Sequence, residues 1–123
     1  MGQEDDLIAF TRRLMRTSEA RVAISVDLSA VFGLNADPKR IRFHQSGFRD
    51  MAASSGGDAF VMRTGDMAIV VPPTAERVGK VLVDDMVDML SKDSPITTET
   101  LRRRISVYEI PDEFWEFRSW IAR

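Results

Sequence analysis

Cysteine is absent from these 123 residues, so neither a disulfide nor a thiolate metal site is available. The chain must hold together through its core, and the composition fits a reducing, cytoplasmic setting. Histidine occurs once, as His44, which leaves too few ligands for an ordinary zinc centre and no partner for triad chemistry. Long apolar runs are missing too: Met67 to Val71 falls far short of the ~20 residues that cross a bilayer, and no membrane partner is expected. Neither sign of charge dominates. With 17 Lys and Arg against 19 Asp and Glu, the net charge is −2, so no whole-molecule field draws nucleic acid or an anionic surface. The start, Glu4-Asp5-Asp6, is acidic where a secretory signal is basic. What is present, at 44% hydrophobic residues, suffices for one globular domain over residues 1–123, with its core at about 20–110.

Leu7, Ile8, Phe10, Leu14 and Met15 recur near helical spacing and predict an N-terminal helix over about 4–19. Acidic residues open it and Arg12, Arg13 and Arg16 follow, the order that a helix dipole favours. Val22, Ile24, Val26 and Leu28 then alternate with Ala23, Ser25 and Asp27, which predicts a strand whose second, small-residue face is the more open one. Asp37 is placed as an N-cap with Pro38 at the first helical position. The helix that follows, to about Ser54, should bury Ile41, His44, Phe48, Met51 and Ala52. Gly47 interrupts it at a propensity cost of ~1 kcal/mol relative to Ala.

Ser54-Ser55-Gly56-Gly57 is a stop, and two apolar runs around Thr64-Gly65-Asp66 then predict a β-hairpin whose second strand is Met67 to Val71. Pro72-Pro73 ends that strand, and Thr74 is placed to cap a helix from Ala75 to about Leu90, with Val78, Val81, Leu82, Met86, Met89 and Leu90 on its apolar face. Pro95 breaks the polar connection from Ser91 to Thr98. A helical turn at Thr98 to Leu101, a fourth strand over Arg104 to Ile110, and an aromatic helix at about 111–122 complete the chain. The order, a helix, then β-α-β-β-α-β, then a helix, predicts an α+β fold: a ferredoxin-like antiparallel sheet with added N-terminal and C-terminal helices.

The hairpin and the element order resemble GGDEF domains, the diguanylate cyclase family. Its members typically read Asp-apolar-apolar-apolar-Arg-x-Gly-Gly-Asp-Glu-Phe-apolar across two strands and their turn. Here Asp58 opens the first strand, Arg63 precedes the turn, Thr64-Gly65-Asp66 stand at Gly-Gly-Asp, and Met67-Ala68 stand at Glu-Phe. The literal alternative, Gly56-Gly57-Asp58-Ala59-Phe60, would put the Gly-Gly before a strand that lacks a preceding partner. In both registers the acidic residue that helps hold the metal is replaced, by Met67 or by Ala59, and neither offers a ligand. Asp27 falls near the family's metal-binding Asp at the end of the first strand, but no Lys follows Phe32. Ser55 stands where the family's inhibitory Arg-x-x-Asp site has its Arg, ahead of Asp58. The resemblance therefore implies a signalling domain with its metal chemistry removed: no catalytic residue, no metal and no cofactor.

Other constellations have plainer readings. His44 lies on an apolar helical stripe and reads as a hydrogen-bonded core or boundary residue. Asp84, Asp85 and Asp88 read as a solvated helix face, and Arg102-Arg103-Arg104 as a solvated run paired with acidic neighbours. An anion-binding patch would require that run to converge with Arg12, Arg13 and Arg16, and the hairpin strands lack the aromatic-rich pattern of RNA recognition modules, which argues against nucleic acid. In the last helix Phe114, Phe117 and Ile121 share one face while Trp115 lies well round from it, more aromatic surface than docking alone needs. The expectation is a non-catalytic regulatory or interaction domain in bacterial signalling, meeting a protein partner or forming a homodimer through Phe114, Trp115, Phe117 and Trp120. The alternative is a divergent nucleotide-binding or phosphoryl-transfer enzyme that uses Asp27, Asp58 and Asp66.

Overall fold

The computed structural model describes residues 2–33, 37–73, 78–93 and 96–122. In chain order the elements are α1 (Glu4–Thr17), β1 (Arg21–Val26), α2 (Leu28–Phe32), α3 (Pro38–Ser54), β2 (Asp58–Val61), β3 (Met67–Val71), α4 (Val78–Ser91), α5 (Thr98–Arg103), β4 (Ile105–Ile110) and α6 (Phe114–Ile121). The fold is α+β. Its four strands form one sheet in the order β2-β3-β1-β4, and every neighbouring pair is antiparallel.

Strand alternation divides the core in two. Val22, Ile24 and Val26 of β1, with Met67, Ile69 and Val71 of β3, face the layer that holds Phe48 and Ala52 of α3 and Leu82, Met86 and Leu90 of α4. Ala23, Ala68 and Val70 point the other way and pack with Leu7 and Leu14 of α1 and Phe117, Trp120 and Ile121 of α6. The sheet is thus the middle of three layers. This corrects the expectation that the second face of β1 is the more open one: Ala23 and Ser25 are buried. Small side chains there leave room for α1 and α6 to lie close to the strands.

Local chemistry accounts for most boundaries. The Asp37 carboxylate accepts from the Lys39 N–H at 2.9 Å and starts α3. Gly56 has φ 74° and donates to the Ala53 carbonyl, while Gly57 donates to Ala52, the paired bonds of a Schellman helix stop. A Cβ at Gly57 would also run into the Val70 carbonyl oxygen, so a glycine is needed where the chain enters β2. At the hairpin the Gly65 N–H donates to the Met62 carbonyl at 2.9 Å, with φ 92° at Gly65. At Gly47 a Cβ would meet the terminal methyl of Met89, the flexible end of a side chain that reaches across from α4.

Three boundaries differ from the sequence reading, one of them that of α6, which begins at Phe114 rather than at about 111 because residues 111–113 form a turn. β1 stops at Val26: the Asp27 N–H still reaches the Arg104 carbonyl at 2.9 Å, but the Asp27 carbonyl takes the Ala30 and Val31 N–H groups, and Leu28 and Val31 turn one apolar face inward as α2. The fourth strand begins at Ile105, after a complete helix, α5, whose N-cap Thr97 accepts from the Thr100 N–H. The expected cap at Thr74 and the helix start at Ala75 lie outside the described residues. Among the described residues, no helix is long and apolar enough to cross a membrane.

Candidate functional site

β1 ends where β3 begins, with Val26 opposite Met67, so Asp27 and Asp66 emerge at the same end of the sheet. Asp27 occupies the N-cap position of α2 but makes no capping bond with its side chain. Its Oδ1 instead accepts from Trp120 Nε1 at 2.9 Å, tying α6 to the end of β1. Asp66 supplies the cap from 37 residues away: its Oδ1 accepts from the Ser29 N–H at 2.8 Å. Asp66 is buried, so this charge-assisted bond is formed in a partly dry setting.

The third aspartate is elsewhere. Asp58 opens β2 opposite Val70, about 10 Å of strand away from the hairpin turn. The resemblance therefore finds two of its carboxylates together and one apart. Met67, at the position of the acidic motif residue, is fully buried in the α3–α4 core. Among the described residues, no group of three or more His, Asp or Glu is placed to hold a metal ion.

A groove of about 820 Å³ runs between α3 and α4, lined among others by Arg40, Phe43, His44, Met51, Met89 and Asp93. His44 is buried, and its Nε2 is 2.9 Å from Asp93 Oδ2, which Arg40 Nε also approaches at 3.2 Å. Phe32 stacks on the imidazole at 5.1 Å and Phe43 meets it edge-on at 5.4 Å. Nδ1 has no hydrogen-bond partner. The lone histidine is therefore a hydrogen-bonded core residue at the groove's floor.

α6 sorts its aromatics sharply. Phe114, Phe117, Trp120 and Ile121 are buried, with Phe117 against Tyr108 at 5.2 Å and parallel to Trp120 at 6.0 Å. Trp115 is 71% exposed and touches Phe114 edge-on at 5.2 Å. Of the four aromatics expected to form an interaction surface, Trp115 alone presents its ring to solvent. Trp120 instead bonds Asp27, and its spacing of three from Phe117 was the available signal for burial. Phe114 borders a shallow depression on α1 lined by Ala9, Arg12, Arg13, Met15 and Arg16.

Arg12, Arg13 and Arg16 form no ion pair among the described residues, whereas Arg102 and Arg103 of α5 pair with Asp84 and Glu99. The two arginine groups lie on opposite faces of the sheet and do not converge. Of the α4 carboxylates, Asp85 and Asp88 are exposed, Asp88 pairing with Lys92, while Asp84 is half-buried and pairs with Arg102. Compared with family models, curated proteins and solved structures, the chain matches none.

Proposed function

We propose that this chain is a non-catalytic regulatory domain of bacterial signalling, a degenerate GGDEF-like domain on a ferredoxin-like core, acting in the cytoplasm by protein contact or self-association. The observation that carries the reading is Trp115, the most exposed large apolar side chain among the described residues, on a helix whose other aromatics are buried. A solvated indole against Phe114, which itself borders a depression lined by three arginines without intramolecular ion pairs, is the composition of an interface hot spot. The strand order β2-β3-β1-β4 with α3 and α4 on one face supports the ferredoxin-like core. The loss of catalysis is supported by a buried methionine at the acidic position and by Asp27 and Asp66 each holding a structural N–H.

Light scattering on the wild type and on Trp115→Ala tests the surface. A molar mass or partner affinity that falls in the variant is expected, and unchanged values in both assays would remove Trp115 from the interface. The convergence of Asp27 and Asp66 favours one second reading, a divergent nucleotide-binding or phosphoryl-transfer enzyme. Calorimetry with guanine nucleotides and Mg²⁺ separates the two: the proposed function expects no heat, whereas metal-dependent binding that disappears in Asp27→Ala would replace it.

A further inference from the structure

We propose that α1 pairs antiparallel with α1 of a second copy of this chain, about a two-fold axis that passes by Ala9. The inference rests on the contact reading above and names its occupant. Leu7, Thr11 and Leu14 turn α1 toward the sheet, and the opposite stripe presents Asp5, Asp6, Ala9, Arg12, Arg13 and Arg16, all exposed. Charge changes sign along this stripe at Ala9. That polarity suits the helix's own dipole, and it also makes the stripe complementary to itself when reversed. With the axis at Ala9, Asp5 and Arg13 each stand four residues, about 6 Å, from it on opposite sides. Asp5 then faces Arg13 of the second copy and Asp6 faces Arg12, and two-fold symmetry repeats each pair.

Three observations favour a second copy over another occupant. Among the described residues, none of Asp5, Asp6, Arg12, Arg13 and Arg16 forms an ion pair within the chain, while Arg21, Arg40, Arg102 and Arg103 all do. Ala9, at the crossing point, is small enough for two helix axes to approach to about 8 Å. A polyanion would be drawn to the arginine half and repelled by Asp5 and Asp6, whereas a reversed copy satisfies both halves. Each exposed ion pair adds little affinity by itself, but the four related by the two-fold axis together fix register and direction and make the association salt-sensitive. The apolar area comes from Met15 and from Trp115, which flanks the basic half through Phe114.

Sedimentation equilibrium of the full chain over a concentration series tests the pairing. The wild type is expected to dimerise at low salt and to weaken about tenfold or more in 0.5 M salt. Asp5→Arg/Asp6→Arg and Arg12→Asp/Arg13→Asp should each be monomeric alone and should form a heterodimer when mixed, because every facing pair is then opposite in sign. Circular dichroism checks that both fold. Ala9→Arg, which leaves the dipole's charges in place, should also abolish the dimer. A wild type that stays monomeric, or charge-reversed variants that fail to associate on mixing, overturns the inference. A dimer indifferent to charge reversal but lost in Trp115→Ala overturns the helix pairing and leaves the contact reading standing. A monomeric wild type that binds a different protein through Trp115 does the same.

Discussion

Removing the Asp66 carboxylate discriminates between a structural aspartate and a catalytic one. Asp66 is only 6% exposed, and its Oδ1 takes the Ser29 N–H at 2.8 Å in the first turn of α2. A hydrogen bond to a charged acceptor contributes about 1.5–3 kcal/mol, and a neutral one about 1 kcal/mol. Ser29 itself is exposed, so water reaches its N–H once the carboxylate is gone, and the loss falls near the lower end. Asp66→Ala should therefore cost about 2 kcal/mol. Asp66→Asn keeps a carbonyl oxygen at the site and should cost about 1 kcal/mol. Urea unfolding followed by circular dichroism measures both, the midpoint falling at unchanged slope. Amide exchange at Ser29 should quicken in both variants. A carboxylate kept for chemistry is held at the expense of stability, so its removal stabilises. A gain in stability, or a loss below about 0.5 kcal/mol in Asp66→Ala, refutes the assignment of Asp66 as the remote cap of α2.

Gly57→Ala should cost about 3 kcal/mol, the upper end for overpacking, because the new methyl meets the Val70 carbonyl oxygen and the Val71 backbone rather than a movable side-chain tip; thermal or urea melts read this directly. The Glu4 carboxylate accepts from the Arg63 N–H at 2.7 Å, and that bond holds its pKa below the ordinary 4.5. A lowered folded-state pKa means that the tie from α1 to the hairpin is complete above the ordinary value and is lost as pH falls through the lowered one. An NMR titration should show the Arg63 amide and the Glu4 carboxyl moving together below pH 4.5, and Glu4→Gln should abolish that step.

Elements with local determinants were legible in the sequence. α3 begins at Pro38 and ends at Ser54 as expected, because Asp37 caps it from two residues away and Gly56-Gly57 stop it within a turn. The hairpin was legible because Gly65 is the residue that its turn requires. α2 was not. A single turn of helix has no period to detect, and its cap comes from Asp66, 37 residues distant. The second core was misjudged for a related reason. Ala23, Ser25 and Ala68 are small because two helices lie against them, and in a sequence a small packed residue looks like a small exposed one. At the candidate site, the sequence grouped Asp27, Asp58 and Asp66; the strand register brings Asp27 and Asp66 to one end of the sheet and leaves Asp58 apart. The occupation of Asp27 and Asp66 by Trp120 and Ser29 depends on contacts 93 and 37 residues apart, beyond any motif.

The three-layer arrangement also decides where a partner can bind. Both faces of the sheet are covered, so Phe60, the aromatic that hairpin strands could have offered a ligand, lies beneath α1, 5.6 Å from Phe10. On the β2 edge Gln3 takes both backbone groups of Val61, its N–H donating to the Val61 carbonyl at 2.7 Å and its Oε1 accepting from the Val61 N–H at 2.8 Å. On the β4 edge Glu113 takes both the Glu109 N–H and its carbonyl, which limits strand addition to the end nearest Ile105. Recognition by sheet faces or sheet edges is thus largely closed off, and contact falls to the outer surfaces of helices. On α1 and α6 that surface combines charge without internal ion pairs with an exposed indole, whereas the charges of α4 and α5 are largely neutralised within the chain. The residues that close the sheet, on α1 and α6, are carried by the same helices as the proposed contact surface, so on that proposal changes that loosen their packing should weaken association as well as stability.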